Sequence, residues 1–410
     1  MPELFNVVTP DEARRIFCGH LSPNTTLEMV AVADALDRIT RRDVHSPSDL
    51  PAFPRSTMDG YAVRAADTYG ATEGIPAYLN VIGEVLMGRQ ADVTVSAGQA
   101  AIEHTGGMLP AGADAVVMVE NTQQVDAATI EVVRPVAPGE NVIQVGEDLR
   151  RGDLLVPAGH WLRPQDLGGL MGAGVTEIDV APRPVVAVIS TGDEIVSPEN
   201  ELGPGQVRDI NTHTLSAQIR QAGGVPWSLG IVPDNRRALM EAAERALGGA
   251  DVVIITAGSS VSVRDLTAGV IAGLGEPGIL VHGVATRPGK PTILAVAAGK
   301  PVVGLPGNPV SAMVIFDLLV TPVLYLLAGC SSPPARSTVE ALLARNVAST
   351  TGREDYVQVR LEERDGQRWA VPVFGESNLI MTMIKADGTV QVPLDKHGLP
   401  EGERVTVTLF

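Results

Sequence analysis

The stretch from Pro184 to Cys330 constrains the fold more than any other. Three short apolar runs lie in it, and each stops at polar turn residues. Residues 185–189 (Val-Val-Ala-Val-Ile) end at Ser190-Thr191-Gly192-Asp193-Glu194. Residues 251–255 end at Thr256-Ala257-Gly258-Ser259-Ser260, and residues 301–305 end at Pro306-Gly307-Asn308-Pro309. Continuous apolar runs of this length, bounded by turn residues, suit parallel strands buried on both faces. Patterns of helical period lie among them at 212–222, 235–247, 263–274 and 310–327. The expectation is an open α/β layer, in which ligands bind at the carboxyl ends of the strands. One polar loop there would read as turn chemistry. Three after strands of one sheet favour a binding site.

Length and charge bound what surrounds this layer. A chain of 410 residues exceeds one ordinary core, so a few domains are expected. A net charge of −17 argues against a long nucleic-acid groove, which needs clustered Lys and Arg. Any anionic ligand then needs a local basic pocket. Cys18 and Cys330, the only cysteines, make neither a disulfide framework nor a zinc cluster. The opening Met1-Pro2-Glu3-Leu4 has no basic segment leading into an apolar one, so no signal peptide is expected. The most apolar helical pattern, 310–327, carries Asp317 and Pro322 and reads as a core helix, not a membrane span. A cytoplasmic protein with no nucleic-acid or membrane partner is expected.

Before the central layer, Thr9, Pro10 and Glu12 form a helix-start signature, and a second helix is expected at 28–39. The segment 50–60 holds Pro51, Pro54 and Gly60, which argue for a stiff loop. Its Asp59 reads equally as a ligand-facing acid or a solvated linker residue. Short alternating runs at 78–82, 93–95, 100–103, 115–119 and 129–133 predict a small β-rich domain. His104 has no Cys or His at metal-ligand spacing and reads as structural. The acid-bearing loop 139–149 reads as a surface turn, and 162–175 as a helix leading to the boundary Pro182-Arg183-Pro184. Ser331-Ser332-Pro333-Pro334 is a linker. Alternating runs such as 356–361 and 405–409 make the remainder an all-β module.

The chemistry concentrates at the strand ends. Asp193 and Glu194 follow the first strand. The Ser259 to Ser262 loop opens a helix, where unpaired N–H groups favour anions. Arg287-Pro288-Gly289-Lys290-Pro291 sets two cations on a stiff turn. In so acidic a chain it reads evenly as an oxyanion or phosphate site and as a solvated loop. The dinucleotide fingerprint, the P-loop and the nucleophile elbow are all absent. Carboxylates and cations without a nucleophile signature suggest divalent-metal-assisted chemistry on a phosphorylated ligand.

Six markers along the chain resemble the MoeA family of molybdopterin molybdenumtransferases, which includes the E domain of gephyrin. They are residues 56–64 (Ser-Thr-Met-Asp-Gly-Tyr-Ala-Val-Arg), Thr105-Gly106 with 110–116, Gly146-Glu147-Asp148, residues 190–194, residues 287–291, and 304–311. They stand in the family's order and cover nearly the whole chain. The resemblance implies a central open α/β molybdopterin-binding-like domain, an elongated helical part, an inserted small β domain and a C-terminal β barrel. The corresponding expected bounds are 184–330, 1–50 with 142–183, 51–141, and 331–410. It further implies an enzyme of molybdenum cofactor biosynthesis. Molybdenum from molybdate enters adenylylated molybdopterin, and AMP is released with Mg²⁺. The assembly implied is a homodimer that also meets the molybdopterin adenylyltransferase.

Carried over by position, Asp59, Thr105, Asp148, Glu194 and Asp265 would be catalytic, with Asp59, Asp148 and Glu194 holding the metal. Asp59, Thr105 and Asp148 would come from one subunit, and Glu194 from the other. Ser190, Thr191, Gly192, Gly258, Ser259, Ser260, Ser262, Pro306, Gly307, Asn308 and Pro309 would bind the substrate. Arg287, Lys290, Pro291, Arg353 and Ser377 would bind molybdate, with Thr382 near the same cleft. The chain departs from the family in one loop. Ser259 and Ser260 replace two glycines, Arg264 a third, and Thr267 an acid. Ala386-Asp387-Gly388 also stands where Ala-Asn-Gly is common. These changes leave open a catalytically silent molybdopterin-binding or scaffold paralogue; a tungstate-using variant is a further alternative, because oxyanions of equal charge and similar size are alike to a sequence.

Overall fold

The computed structural model describes residues 7–257 and 261–410, with the side chains of 261–263 left out. The central layer is a six-stranded sheet in the order Val225–Val232, Val185–Thr191, Val252–Ala257, Lys300–Pro306, Ile293–Ala297, Pro277–His282. The first four strands are parallel. The last two are antiparallel, a feature the apolar runs alone did not disclose. Every residue of Val252–Ala257 is buried, as expected of a strand covered on both faces. One face packs on Asn211–Gln221 and the helical stretch Pro309–Leu327, through Val186, Ile254, Leu215, Ile315 and Phe316. The other packs on Arg236–Gly249 and Val261–Ala272, through Ile189, Val253, Leu239 and Val270.

Pro309–Leu327 is long and apolar enough to cross a membrane, but most of it is buried in this core. Its middle, Phe316–Val320, widens to a π-helix. The helix Pro10–Cys18 begins at a Thr9 cap and joins the first face through Ala13 and Phe17.

The segment expected to be helical at 28–39 is instead a strand, Glu28–Ala31, followed by a single 3-10 turn, Val32–Asp34. Its partner is Glu177–Val180, in antiparallel register. The β-branched Val30 and Val32 pack beside Ile178 and Val180, so a partner about 150 residues away decides what local propensity left open. Within this part Pro164–Gly172 is a helix, packed with Val156 and Leu162.

The small β domain is a six-stranded sheet in the order Ala115–Met118, Gly60–Val63, Gln99–Glu103, Ala77–Glu84, Thr129–Val132, Thr122–Gln124. The run at 93–95 forms no strand there; Thr94 makes one bridge, to Ala111, while Val93 and Val95 fill the space beside Val85.

The C-terminal module closes on itself. Glu354–Arg364 pairs with Gln367–Pro372, which pairs with Thr338–Leu343, then Arg404–Leu409, then Gly388–Val392. Gly388–Val392 pairs back onto Glu354–Arg364, completing a five-stranded barrel. Closure removes the sheet edges, and the interior is filled by Leu343, Val359, Val390 and Val407. A two-residue strand from the central domain, Thr286–Arg287, pairs in parallel with Glu354 and Asp355 at the start of the long barrel strand.

Candidate functional site

That short pairing builds a cleft between the central layer and the barrel. It encloses about 700 Å³. Arg287, Lys290 and Pro291 line one wall; Pro306, Gly307 and Asn308 form the floor, at the end of Lys300–Pro306; Arg353 and Ser377 line the barrel side. Residues from sequence positions nearly 90 apart thus meet in one place. The seam between the two sides is hydrogen-bonded. Glu354 N–H donates to Ala285 O at 2.9 Å, Asn308 Nδ2 to Ser377 Oγ at 2.8 Å, and Val310 N–H to Ser377 O at 3.1 Å. The basic turn is pinned from below. Gly289 has φ +113°, and a Cβ there would stand 2.4 Å from Ile315, so only glycine lets the turn lie on the helix.

The cleft is a local exception in an acidic chain. Its lining carries Arg264, Arg287, Lys290 and Arg353 against Asp355 and Glu376. Such a pocket, with main-chain turns and guanidinium groups converging, suits a phosphate or another oxyanion. Arg264, which stands where the family pattern has glycine, belongs to this lining, whereas Asp265 is exposed and outside it. Thr267 is 2% exposed, buried on its helix, and so is not a surface ligand in place of an acid. Thr382 also lies outside the cleft, with its hydroxyl donating to Leu379 O at 2.8 Å. Gly258, Ser259 and Ser260 are outside the described residues, as is the side chain of Ser262. Pro309 is buried at the first turn of its helix, just behind Asn308.

The residues at the end of the first central strand turn inward. Ser190 and Thr191 are fully buried. Ser190 Oγ lies 2.9 Å from Thr212 Oγ1 and 3.3 Å from Asp209 Oδ1, and Thr191 Oγ1 donates to Asp234 Oδ1 at 2.7 Å. Their side chains organise the strand ends; only the backbone and Gly192 lead to the exposed Glu194. Sequence reasoning missed the acid they support. Asp209 is 7% exposed and caps the helix Asn211–Gln221 by accepting from Thr212 N–H at 3.0 Å. Asn211 Nδ2 in turn donates to Gly307 O at 2.8 Å, tying that helix start to the cleft floor. An Asp three residues ahead of a helical pattern was the available signal.

Asp59 and Thr105 come together elsewhere, at one end of the small β domain. Asp59 Oδ1 accepts both the Thr105 N–H at 2.8 Å and the Thr105 hydroxyl at 3.0 Å. These bonds, the main-chain one first, hold the carboxyl below the usual carboxylate range. The loop is stiff through main-chain bonds more than through its prolines. Ser56 N–H donates to Gly107 O, Gly106 N–H to Ser56 O, Leu109 N–H to Pro54 O and Thr57 N–H to Asn141 O, all within 2.8–3.0 Å. Asp148 is exposed on the neighbouring turn, its N–H donating to Leu50 O at 3.1 Å.

None of Asp59, Thr105, Asp148 or Glu194 lines the basic cleft. Among the described residues no three His, Cys, Asp or Glu side chains converge as metal ligands. A Mg²⁺ site made of Asp59, Asp148 and Glu194 is therefore not assembled within one chain.

Comparison with known proteins agrees with this architecture. Residues 8–174 match the family model "MoeA N-terminal region (domain I and II)", 187–325 a "probable molybdopterin binding domain", and 340–410 the "MoeA C-terminal region (domain IV)". The molybdopterin molybdenumtransferase of Bacillus subtilis is 32% identical over 98% of this chain and 93% of its own. That of a Nostoc species is 34% identical over 93% and 88%. The crystal structure of the molybdopterin biosynthesis MoeA protein from Pyrococcus horikoshii superposes with a TM-score of 0.82 at 40% identity, covering 98% of this chain and 99% of that one. With the barrel, the open α/β layer and the inserted β domain all in place, the chain belongs to the MoeA family, the molybdopterin molybdenumtransferases.

Proposed function

We propose that the chain inserts molybdenum from molybdate into adenylylated molybdopterin, with Mg²⁺-dependent release of AMP. The observation that carries this reading is the basic cleft. Arg287, Lys290, Arg353 and Ser377, drawn from two domains, surround a space of about 700 Å³ in an otherwise acidic chain. In this reading the oxyanion sits among these four residues and Pro291. The pterin and its phosphate lie along Pro306, Gly307, Asn308 and the Ser259 to Ser262 loop. Charge-assisted N–H donors orient the oxyanion and offset its charge while sulfur replaces oxygen around the metal.

The acids enter through dimerisation. Asp59, Thr105 and Asp148 of one copy meet Glu194 of a second, and the pair completes the site that one chain leaves open. Mg²⁺ held there would offset phosphate charge during cleavage of the adenylate. The stiff Asp59 loop supports this, because a carboxylate fixed before binding loses little freedom on binding. The adenylylated substrate would come from a molybdopterin adenylyltransferase in the cytoplasm.

The test is incubation with adenylylated molybdopterin, molybdate and Mg²⁺, following AMP release. Molybdate-stimulated release supports the reading. Tight pterin binding with no release would favour the silent-paralogue alternative, for which the cleft-lining Arg264 is the structural argument.

A further inference from the structure

One carboxylate in the cleft has no part in the reading so far. Asp355 is 3% exposed, yet it lies among cations that are open to solvent. Its Oδ1 accepts from Arg353 Nε at 2.8 Å and its Oδ2 from Arg353 Nη2 at 3.3 Å, a two-point fork. The same Oδ2 lies 3.9 Å from Arg287 Nη1. The side chain of Arg287 is 62% exposed and that of Arg353 34%, against 5% for Asp355. The carboxylate is therefore at the root of the pair and the guanidinium groups are at its rim.

We propose that Asp355 is a positioning residue that holds Arg287 and Arg353 side by side as one two-armed receptor for a tetrahedral dianion. The proposal rests on the reading of the cleft as an oxyanion site. Three observations carry it. The first is backbone register: Asp355 is the direct partner of Arg287 in the parallel pairing of Thr286–Arg287 with the barrel strand. The carboxylate's place relative to the basic turn is thus set by main-chain bonds and not by side-chain reach. The second is donor count. A guanidinium has five N–H donors, and Asp355 engages two on Arg353 and approaches one nitrogen of Arg287, so both retain donors for a ligand. The third is charge. Two guanidinium groups this close repel each other, and one buried carboxylate between them offsets the repulsion.

Asp355→Asn keeps the shape and removes the charge. The measurements are molybdate titration by calorimetry and steady-state AMP release at varied molybdate. The expected result is a Kd and a KM for molybdate raised about tenfold or more, with kcat at saturating molybdate within about threefold of wild type. Asp355→Glu, which keeps the charge at a longer reach, should recover part of the affinity. A purely structural role would lower the melting temperature and the amount of active protein without separating KM from kcat. An unchanged or tighter Kd in Asp355→Asn would overturn the proposal, because the carboxylate would then only reduce the cleft's positive charge. Should Asp355→Asn fail to fold, Asp355→Glu decides: weakened molybdate binding upholds positioning, and wild-type binding refutes it. A wild-type protein that binds no molybdate would defeat the reading of the cleft itself, before any variant is compared.

Discussion

Glu103 should make the small β domain lose stability as pH rises through neutrality. It ends the strand Gln99–Glu103, is 1% exposed, and neither of its carboxyl oxygens has a well-formed hydrogen bond. Burial pushes its pKa from 4.5 up to about 7, the neighbouring His104 N–H and ring offsetting only part of that cost. The carboxyl is pressed under the turn that presents Thr105 to Asp59. A Cβ on Gly107 would stand 2.0 Å from Glu103 Oε1. The ionisable neighbour acting on it is His104, which itself pairs with Glu84 at 2.7 Å.

An acid whose pKa is raised in the folded state keeps its proton there after the unfolded chain has released it. Stability therefore falls as pH rises from 4.5 toward 7 and levels off above. The shift of about 2.5 units corresponds to roughly 3 kcal/mol in full. Between pH 5 and pH 8 about 2.5 kcal/mol of it should be lost. Glu103→Gln removes the titration. Hydrogen exchange of the amides in Gly60–Val63 and Gln99–Glu103, corrected for the intrinsic rate at each pH, reads the local stability directly. Wild type should lose about 2.5 kcal/mol of protection across this range relative to Glu103→Gln. Comparing each protein with itself cancels the cost of burying the amide. Parallel pH dependence in the two proteins would refute the argument.

Three further outcomes are expected. Asp59→Asn keeps an oxygen for the two Thr105 donors, so it should fold normally while AMP release falls roughly a hundredfold, measured with thermal unfolding as the control. Lys290→Ala should weaken molybdate use about ten- to a hundredfold, with pterin binding measured separately and affected less; equal losses would place Lys290 on the pterin phosphate. Thr267→Asp would bury a carboxylate at a position 2% exposed, so it should cost about 3 kcal/mol and not lower the Mg²⁺ requirement for AMP release; an unchanged melting temperature would contradict the buried position.

The basic turn, the strand ends and the barrel's alternating runs are legible from sequence because each is a local pattern: a Pro-Gly turn bearing cations, an apolar run with a polar stop, a period of two. What escaped notice depends on pairing at a distance. Asp355 looks like any acid in Arg353-Glu354-Asp355 until the strand register sets it opposite Arg287. Glu103 looks like an outward residue of an alternating strand, and only the close approach of Gly107 reveals that it is covered. The segment 28–39 carries apolar residues that fit a helix as well as a strand, and Glu177–Val180 settled the choice. Ser190 and Thr191 were legible as strand-end polar residues, but not as the inward supports of Asp209 and Asp234.

The seam between the central layer and the barrel combines two paired residues, a few hydrogen bonds, two guanidinium groups around a carboxylate, an apolar cluster of Val310, Val314 and Leu318 with Tyr356, Ile380 and Met383, and the ion pair of Arg336 with Asp317. Between separate molecules, such a seam would form only as far as concentration allows. Here the segment between Leu327 and Thr338 tethers the two sides, which raises their effective concentration to about the millimolar range or above. The oxyanion cleft is in that sense an intramolecular complex. Cutting the chain at Ser331-Ser332-Pro333-Pro334 and mixing the halves would leave every cleft residue present. The receptor would then form only as far as the concentrations of the two fragments allow, and molybdate affinity would become a function of protein concentration.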